Sequence, residues 1–517
     1  MTDMAENRTD LGNARRLVRL HGDHLRYVHT WATWLVFDGC RWRKDATAEI
    51  DRLAKATALS IYREAADAGD EPERQALAKW AVATESERRL RALVSVATSE
   101  PEVVAEARAF DADPWLFNVA NGTLDLRTGC LRPHAAENLI TRQTPVEYDP
   151  AAAAPRFAAF LARVVPQPEM REFLQRAIGY SLTGLTTEQC LFFCYGHGAN
   201  GKSVLLEVLR ALFGEYAMQA DFSTFLLRRS EGPRNDLVRL DGARLVTASE
   251  IADGQRLDES LMKSLTGGDV IAARQLYREA VEFHLQAKFV LAANHKPIVR
   301  GRDHAIWRRF RLVPFTVTIP EEERDPQLAD RLREELPGIL AWAVEGCLAW
   351  QRDGLAAPAE VLTATEDYRA EMDVLGAFIA ERCQVANGVS VQAAVLYAAY
   401  RAWATQGHEE LLSSTRFGRE MATRFPKAIV PGGRIAYFGI MVQPDSCEGL
   451  GGFEGSSVKS PHEEVTEGSY RNAPSTLTNP HNATRGAEIT PIAGVGRRDF
   501  DQGDAWEGDD TLGRGAA

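Results

Sequence analysis

The chain has 517 residues, of which 45% are hydrophobic and 26% are charged, a composition typical of globular proteins that excludes a fibrous one. Its length predicts two to four domains, because a single core stops growing beyond roughly 250–300 residues. No apolar run is long enough to span a membrane, and the seven cysteines lack the paired spacing of a zinc site. We therefore expect a cytoplasmic protein without a membrane partner.

The net charge of −12 is distributed unevenly along the chain. Residues 442–517 hold thirteen acidic and six basic side chains, which leaves a net charge of −5 for residues 1–441. In contrast, residues 288–311 hold seven basic side chains and one acidic side chain. The overall acidity therefore does not exclude a nucleic-acid partner, because the placement of charge matters more than its total.

Two regions are predicted before residue 181. Residues 1–110 combine a tryptophan-rich segment with long helical patterns, which predicts a mainly helical N-terminal region. Residues 111–180 form the second region, in which the turn sequence Asn121-Gly122 lies between short apolar runs and predicts a β-hairpin. Apolar residues then recur at helical spacing from Pro155.

Residues 181–320 predict an α/β core. Four compact apolar runs predict buried strands: Cys190–Tyr195, Ala243–Ala248, Lys288–Ala293 and Phe310–Phe315. Helical patterns alternate with these runs, and strands that alternate with helices predict a parallel sheet.

Three regions are predicted after this core. Residues 321–369 predict a helical C-terminal part of the core. Residues 370–441 predict a small winged-helix module, because two helical segments precede short apolar runs on either side of Pro431-Gly432-Gly433. Residues 442–517 are rich in Gly, Ser, Thr, Asn and acidic residues, which predicts a disordered acidic tail.

The most specific motif is a glycine-rich loop. Gly196-His197-Gly198-Ala199-Asn200-Gly201-Lys202-Ser203 fits the phosphate-binding pattern GxxxxGK[ST], after a predicted strand and before a predicted helix. Backbone N–H groups and the helix N-terminus favour phosphate oxygens there. We expect Lys202 to neutralise the phosphates of ATP and Ser203 to bind Mg²⁺.

A nucleotide motor also needs an acid at the end of a neighbouring strand. Glu250 follows the run Ala243–Ala248 and is the candidate that polarises water and helps to hold Mg²⁺, with Ser249 assisting. Taken alone this signal is weak, because many strands end in Glu. Its position some fifty residues after the loop favours the catalytic role.

Asn294 follows the third predicted strand and precedes His295-Lys296-Pro297. A polar side chain there can lie between Glu250 and the terminal phosphate and report whether the phosphate bond is intact. The alternative is an Asn that caps a turn before proline, which is a frequent local role.

Arg308 and Arg309 are candidates for a different catalytic task. An arginine from outside the phosphate-binding unit can stabilise the charge that develops on a transferring phosphate. In a ring, each subunit can offer this arginine to the site of its neighbour. The alternative is a solvated basic surface.

The segment from Lys263 to Arg278 predicts a DNA contact. Lys263, Arg274, Tyr277 and Arg278 combine cations with an aromatic ring, the groups that bind the backbone and the bases of single strands. We interpret residues 274–278 as the tip of a DNA-binding hairpin, with a plain surface hairpin as the alternative.

Five segments in this order resemble superfamily 3 helicases, most closely the helicase half of phage/plasmid primases and poxvirus primase-helicases. These segments are GHGANGKS at 196–203, the strand that ends in Ser249-Glu250, KSLTGGD at 263–269, LAANHKP at 291–297 and IWRRFRLVPF at 306–315. Residues 110–129 resemble the domain that precedes the motor in that family, and the likeness extends from Leu25 to Met441.

This resemblance implies an AAA+ type P-loop core, a hexameric ring and translocation on single-stranded or forked DNA in a bacterial host. It also implies nucleotide binding by Lys202 and Ser203, hydrolysis by Glu250 and a sensor role for Asn294. Arg308 and Arg309 would act in trans. Many relatives carry an N-terminal primase domain of some hundreds of residues, whereas only about a hundred residues precede the segment at 110–129 here. Asp111 and Asp113 also lack a third carboxylate for a polymerase-like site. We therefore expect no priming activity in this chain, and a separate primase as a partner.

Two other classes of function stay open. An ATP-switched initiator would bind DNA without separating strands, although Glu250 argues against it because a pure switch needs no hydrolytic acid. An AAA+ loader would act on a partner protein and would not need the hairpin at 274–278.

Overall fold

The computed structural model describes residues 6–228, 234–274, 280–300, 304–407 and 411–443. No helix in these ranges combines the length and the apolar character needed to cross a bilayer. Apart from residues 442–443, the predicted acidic tail lies outside the described residues.

The N-terminal region contains a small sheet as well as helices. Its elements are α1 (Asp10–His21), β1 (Leu25–Val28), β2 (Thr33–Phe37), β3 (Trp42–Lys44), α2 (Glu49–Asp67), α3 (Glu71–Thr84) and α4 (Glu87–Ala97). The three strands pair antiparallel in the order β1-β2-β3. The prediction of a mainly helical region missed this sheet, which the tryptophan-rich segment forms by burying Trp34 and Trp42.

The predicted hairpin after residue 111 is confirmed and has a third strand. Its strands are β4 (Leu116–Val119), β5 (Gly122–Asp125) and β6 (Cys130–Arg132), which pair antiparallel in chain order. Arg142, which follows this sheet, donates to the backbone carbonyls of Glu215 (2.8 Å) and Asp241 (2.6 Å). These bonds connect the small sheet to the central core.

The central core is built on a parallel sheet. Its elements are α5 (Pro155–Val164), α6 (Pro168–Leu182), β7 (Leu191–Tyr195), α7 (Lys202–Phe213), β8 (Ala217–Gln219), α8 (Asn235–Val238), β9 (Leu245–Ser249), α9 (Glu259–Gly267), β10 (Val270–Arg274), β11 (Ala280–His284), β12 (Lys288–Ala293), α10 (His304–Trp307) and β13 (Phe310–Pro314). Five strands lie in the order β13-β7-β12-β9-β8, and every neighbouring pair is parallel. The four predicted strands are confirmed, and β8 is an additional short edge strand.

Both faces of this sheet are covered, as expected for a parallel sheet. One hydrophobic core contains residues of α5, α6 and α7, including Phe173 and Leu209. The other face packs on residues that include Met262 of α9 and Trp307 of α10. The continuous burial of β12, in which all six residues are buried, follows from this arrangement.

The strand register aligns the carboxyl ends of the strands. Ser249 on β9 and Cys194 on β7 both pair with Ala292 on β12, which lies between them. Pro314, at the end of β13, pairs with Tyr195. The loops that follow these strands therefore emerge at one edge of the sheet, where open α/β sheets bind ligands.

Strands β10 and β11 form a separate antiparallel ribbon, in which Val270 pairs with His284 and Arg274 with Ala280. The predicted hairpin is thus present as a two-stranded ribbon. Its tip, including Tyr277 and Arg278, lies outside the described residues.

The C-terminal elements begin with three helices and continue into a mixed module. They are α11 (Leu328–Arg333), α12 (Leu336–Asp353), α13 (Ala359–Glu371), α14 (Val374–Arg382), β14 (Cys383–Gln392), α15 (Ala393–Gln406), α16 (Ser414–Ala422), β15 (Lys427–Val430) and β16 (Arg434–Val442). The last three strands form an antiparallel sheet in the order β14-β16-β15. Residues 374–443, which we call the C-terminal module, have their own hydrophobic core around Phe378, Tyr400 and Phe417.

Candidate nucleotide-binding site

The loop between β7 and α7 has the backbone features that the sequence pattern requires. Gly201, immediately before α7, has φ of 84°, a left-handed conformation that glycine adopts readily. A Cβ on Gly196 would lie 2.1 Å from the carbonyl oxygen of Phe315, so only glycine fits there. Beside Gly198 a Cβ would meet no atom within 4 Å. The loop is therefore packed against β13 at its start and open at its centre.

Lys202 lies at the first position of α7 and is buried, with 6% of its surface exposed. Its ammonium donates to the backbone oxygen of Gly196 (2.6 Å), to Asn200 Oδ1 (3.0 Å) and to Asn294 Oδ1 (3.2 Å). Burial lowers the pKa of this ammonium. The three donors of the amine are thus matched by three oxygens, and the lysine is held in place within the loop.

Asn200 stabilises the loop from inside, a role that the pattern alone did not assign. Its side chain is 3% exposed, and Nδ2 donates to the backbone oxygens of His197 (2.9 Å) and Phe315 (3.2 Å). Because Oδ1 accepts from Lys202, one amide connects the lysine, the loop and the end of β13.

Ser203 and Glu250 are the two oxygen-bearing candidates for a metal ion. Both side chains are exposed, Ser203 in the first turn of α7 and Glu250 directly after β9. Glu250 has φ of 68°, a left-handed conformation that is unfavourable for a non-glycine residue, and its N–H donates to the oxygen of Ala292 (3.2 Å). Hydroxyl and carboxylate oxygens are the protein ligands that Mg²⁺ prefers.

Asn294 is exposed and lies directly after β12, the strand between β7 and β9. Its hydrogen bond with Lys202 brings two of the predicted residues into contact across neighbouring strands. Glu250 follows β9, the next strand of the sheet. In the strand order, Asn294 therefore lies between the loop that holds Lys202 and the carboxylate of Glu250.

Two clefts adjoin the loop. One has a volume of about 410 Å³ and is bordered by His197, Gly198 and Asn294. The other, of about 290 Å³, lies on the β13 side and is bordered by Gly196 and Phe315. Both clefts share Tyr195, His197, Lys296 and Glu371 as lining residues. A phosphate-bearing ligand on the loop would therefore have open volume on either side of it.

Lys296 and Glu371 form an ion pair between these clefts, which sequence reasoning missed. The Lys296 ammonium lies 2.6 and 2.8 Å from the two carboxylate oxygens of Glu371. It also lies 4.7 Å from the ring centroid of Tyr195 and 5.3 Å from that of Tyr368. The basic run from residue 288 indicated a cation here, but no local pattern identifies a partner 75 residues away.

Arg308 and Arg309 differ sharply in environment. Both precede β13 and therefore lie at the amino edge of the sheet, opposite the loop that holds Lys202. Arg308 is exposed and donates to Gln189 Oε1 (2.9 Å). Arg309 is 7% exposed and donates to Thr266 Oγ1 (3.0 Å) and to the oxygen of Ala305 (2.5 Å).

This burial argues against the trans-acting role predicted for Arg309, which stays untested. A guanidinium that bonds within its own chain cannot reach a neighbouring subunit without losing those partners, and a buried charge without partners is costly. We therefore interpret Arg309 as a structural residue that ties the end of α9 to α10. Arg308 remains the candidate for a trans-acting arginine.

The predicted DNA-binding residues are only partly described. Lys263 is half-buried on α9, and the backbone of Arg274 ends β10. Tyr277 and Arg278 lie outside the described residues. The predicted contact with single strands stays a prediction.

Asp111 and Asp113 are both engaged in local structure. The carboxylate of Asp111 accepts from the N–H and the hydroxyl of Thr141. Asp113 pairs with Arg127 (2.9 Å) and accepts from the N–H of Trp115 (3.0 Å). These contacts give both aspartates a structural role beside β4.

The fold and the site define an α/β protein with a candidate nucleotide site at the carboxyl edge of a five-stranded parallel sheet. The family described as "D5 N terminal like" matches residues 14–166. A "family of unknown function (DUF5906)" matches residues 194–309, which include the whole glycine-rich loop at 196–203.

Curated relatives come from large DNA viruses. The chain is 26% identical over 323 residues to "Putative helicase L207/L206" of Acanthamoeba polyphaga mimivirus, covering 57% of this chain and 33% of the relative. It is 25% identical over 377 residues to "Putative helicase 022R" of Frog virus 3 (isolate Goorha), covering 57% and 39%. It is also 25% identical over 213 residues to "Putative primase C962R" of African swine fever virus (isolate Tick/Malawi/Lil 20-1/1983), covering 40% and 22%.

Together, the two family matches and these relatives support a likeness to a primase-helicase family. The chain spans less than two fifths of the length of these relatives. Among solved structures, the apo C-terminal region (305–718) of NrS-1 aligns with 84% of this chain and 100% of its own, at 11% identity and a TM-score of 0.48.

Proposed function

We propose that the chain is an ATP-dependent superfamily 3 DNA helicase that translocates on single-stranded DNA and unwinds duplex during phage or plasmid replication. The observation that carries this proposal is the hydrogen bond between Lys202 and Asn294 at the carboxyl edge of the sheet. It joins a phosphate-binding lysine to a polar side chain on the adjacent strand, beside the strand that ends before Glu250. A motor needs a connection between the phosphate-binding loop and the neighbouring strand, because ATP hydrolysis must change the conformation of the rest of the chain.

The residues present fit ATP with Mg²⁺. The left-handed Gly201, the close contact at Gly196 and the N-terminus of α7 suit a loop that wraps phosphate oxygens. Bound Mg²⁺ would neutralise charge on those oxygens, and Ser203 and Glu250 are the residues that would hold it.

Lys202 would exchange its bond to Asn294, the longest of its three bonds, for a phosphate oxygen. Asn294 would then be free to respond to the terminal phosphate. Glu250 would orient the attacking water and take up its proton.

An AAA+ type core and a hexameric ring are part of this proposal. The strand order supports the core type, because β12 lies between the strand of the loop and the strand of Glu250 and so puts Asn294 between them. Arg308 supports the ring. Since β13 has five residues and spans about 16 Å, Arg308 lies too far from its own Lys202 to share one phosphate. A neighbouring subunit would therefore receive it.

The remaining parts of the proposal concern DNA and partners. The β10–β11 ribbon, with Lys263, Arg274, Tyr277 and Arg278, would contact single strands. We propose that the C-terminal module is a winged helix, supported by its order of α14, β14, α15, α16 and the β15–β16 hairpin. A separate primase would act beside the helicase in the bacterial cytoplasm.

The test is unwinding of a forked duplex by the purified wild-type protein beside Lys202→Ala. The wild type should unwind the fork with ATP and Mg²⁺, and single-stranded DNA should stimulate its ATP hydrolysis. Lys202→Ala should lose both activities and keep its circular dichroism spectrum. ATP hydrolysis without unwinding would instead favour a loader, and ATP-dependent DNA binding without turnover would favour an initiator.

A further inference from the structure

The loop after β12 carries Asn294 and is attached to α13 at two successive residues. Lys296 forms its ion pair with Glu371, at the end of α13. Pro297 accepts a hydrogen bond from the hydroxyl of Tyr368, which is fully buried on the same helix. Asn294 therefore belongs to a short segment that is fixed by β12 on one side and by α13 on the other.

The ion pair is more restrained than an ordinary surface pair. The Lys296 side chain is 14% exposed, although Glu371 is 52% exposed. The Lys296 ammonium lies over the rings of Tyr195 and Tyr368, and both rings stabilise its charge. Both carboxylate oxygens of Glu371 face the same ammonium. The side chain of Lys296 thus has little freedom to move, and neither has the backbone two residues after Asn294.

The position of Asn294 matters because its only described partner is catalytic in the proposed function. Asn294 Oδ1 accepts from Lys202 at 3.2 Å, and its side chain is otherwise exposed at the cleft. A displacement of about 1 Å at such a group can cost roughly 100-fold in rate. Any residue that fixes this loop therefore controls the rate more than the affinity for nucleotide.

We propose that Lys296 is a positioning residue that holds Asn294 against the nucleotide site through its ion pair with Glu371. This inference rests on the proposed ATPase function. It extends the site to α13, which is joined to the C-terminal module by a short connection that includes Asp373. Asp373 pairs with Arg424 of that module (2.5 Å). The end of α13 is thus placed to connect the state of the nucleotide to that module.

The experiment compares Lys296→Met, Glu371→Gln and their double variant with the wild type. Each single variant should lower kcat for ATP roughly 10- to 100-fold, while the Kd for ATP changes by no more than about twofold. The double variant should be no worse than the single ones, because one ion pair is lost in all three. Lys296→Arg keeps the charge and can bind the carboxylate through two N–H groups, so it should restore most of the rate.

The control is the pair of Arg156 and Glu334, which joins α5 to α11 at 2.8 Å and is exposed on both sides. Arg156→Met and Glu334→Gln should leave kcat and Kd unchanged. Melting temperatures of all variants identify any loss of fold.

Three results would overturn the proposal, and they are distinguishable. If wild-type turnover depends on Lys202 but Lys296→Met hydrolyses ATP at the wild-type rate, the positioning role is wrong and the ATPase function stands. If the wild type hydrolyses no ATP, both proposals fail, because there is no reaction for Lys296 to support. A third result would also overturn the proposal: Lys296→Met and Lys296→Arg lose ATP affinity and melting temperature to the same extent. That result would indicate a purely structural lysine.

Discussion

The two edges of the central sheet both bury cations, but they do so in different ways. At the carboxyl edge, Lys202 bonds to three oxygens, one of which belongs to the exposed side chain of Asn294. At the amino edge, Lys288 is 2% exposed and donates to the backbone oxygens of Thr183, Leu185 and Gln286. Arg244, also 2% exposed, lies beside it and donates to the oxygen of Leu182 (2.7 Å).

The partners, and not the burial, distinguish the two edges. Except for Gln286, the carbonyl groups that Lys288 and Arg244 bind lie at and just beyond the C-terminus of α6, where a helix dipole favours positive charge. Those carbonyls are fixed in the backbone and have no ligand to exchange with. Lys202 instead bonds to the side chain of Asn294, which lines an open cleft, and we propose that a phosphate oxygen can replace this partner. A buried cation therefore indicates a ligand site only where one of its partners can be replaced.

Arg308 is an exposed cation at the amino edge, and its substitution should have the largest effect on ATP hydrolysis. Arg308→Ala should lower ATP hydrolysis by about 10³–10⁵, with and without DNA, because a trans-acting arginine stabilises the transition state. Nucleotide binding should persist. Steady-state ATPase assays and equilibrium binding of a fluorescent ATP analogue measure the two quantities.

Mixed rings provide the control for this prediction. Arg308→Ala subunits combined with Lys202→Ala subunits should regain some turnover, because an intact loop can then lie beside an intact arginine. No recovery, with subunit exchange confirmed, would contradict the trans role.

Substitution of Glu250 tests whether the carboxyl edge of the sheet carries the hydrolytic group. Glu250→Gln should keep ATP binding and lose hydrolysis by about 10²–10⁴, because the amide fills the same volume and cannot accept a proton. Single-turnover assays with labelled ATP separate the two steps. Failure to bind ATP would mean that Glu250 has a structural role.

Arg309 should behave like the structural cations and not like its neighbour. Arg309→Met removes the bonds to Thr266 and Ala305 and should lower the free energy of unfolding by about 1–3 kcal/mol. ATP hydrolysis per folded chain should stay close to that of the wild type. Denaturant titration and ATPase assays measure these effects, and lost turnover at unchanged stability would return Arg309 to the trans role.

Lys288 gives the smallest effect, a dependence on pH. Burial lowers the pKa of Lys288 in the folded chain well below 10.5, the usual value that it keeps in the unfolded chain. Between the folded-state pKa and the usual pKa, the unfolded chain binds more protons than the folded chain. The free energy of unfolding should therefore rise with pH in that window, by at most about 1.4 kcal/mol per pH unit.

Lys288→Met removes this titration. The difference in unfolding free energy between the wild type and this variant, measured from about pH 7 to pH 9, should then increase with pH. A constant difference would show that Lys288 does not titrate in this range.

Local chemistry explains which features the sequence predicts. The apolar runs before the loop, before Glu250 and before Asn294 are long enough to identify buried strands, and β7, β9 and β12 are found there. The three-residue strand β8 and the tryptophan-rich sheet β1-β2-β3 were missed, because neither has a long run or a clear alternation. Their strands depend on tertiary packing, which overrides local propensity.

The candidate site was predictable only in part, for a similar reason. Loop residues act together because they are adjacent in sequence, so their pattern is readable. Arg308 and Arg309 are also adjacent, yet one is exposed and the other buried, a difference that the packing of α9 and α10 decides. The pairing of Lys296 with Glu371 depends on how α13 folds back over the sheet, which no local pattern records.

The left-handed backbone of Glu250 has a consequence for engineering this chain. A non-glycine residue pays about 1–2 kcal/mol for this conformation, so glycine at this position would relieve the strain and remove the carboxylate at once. A selection for thermal stability alone would favour that change and enrich chains without the carboxylate that we propose to orient water. Libraries designed for a more robust protein should therefore hold position 250 constant and seek stabilisation elsewhere.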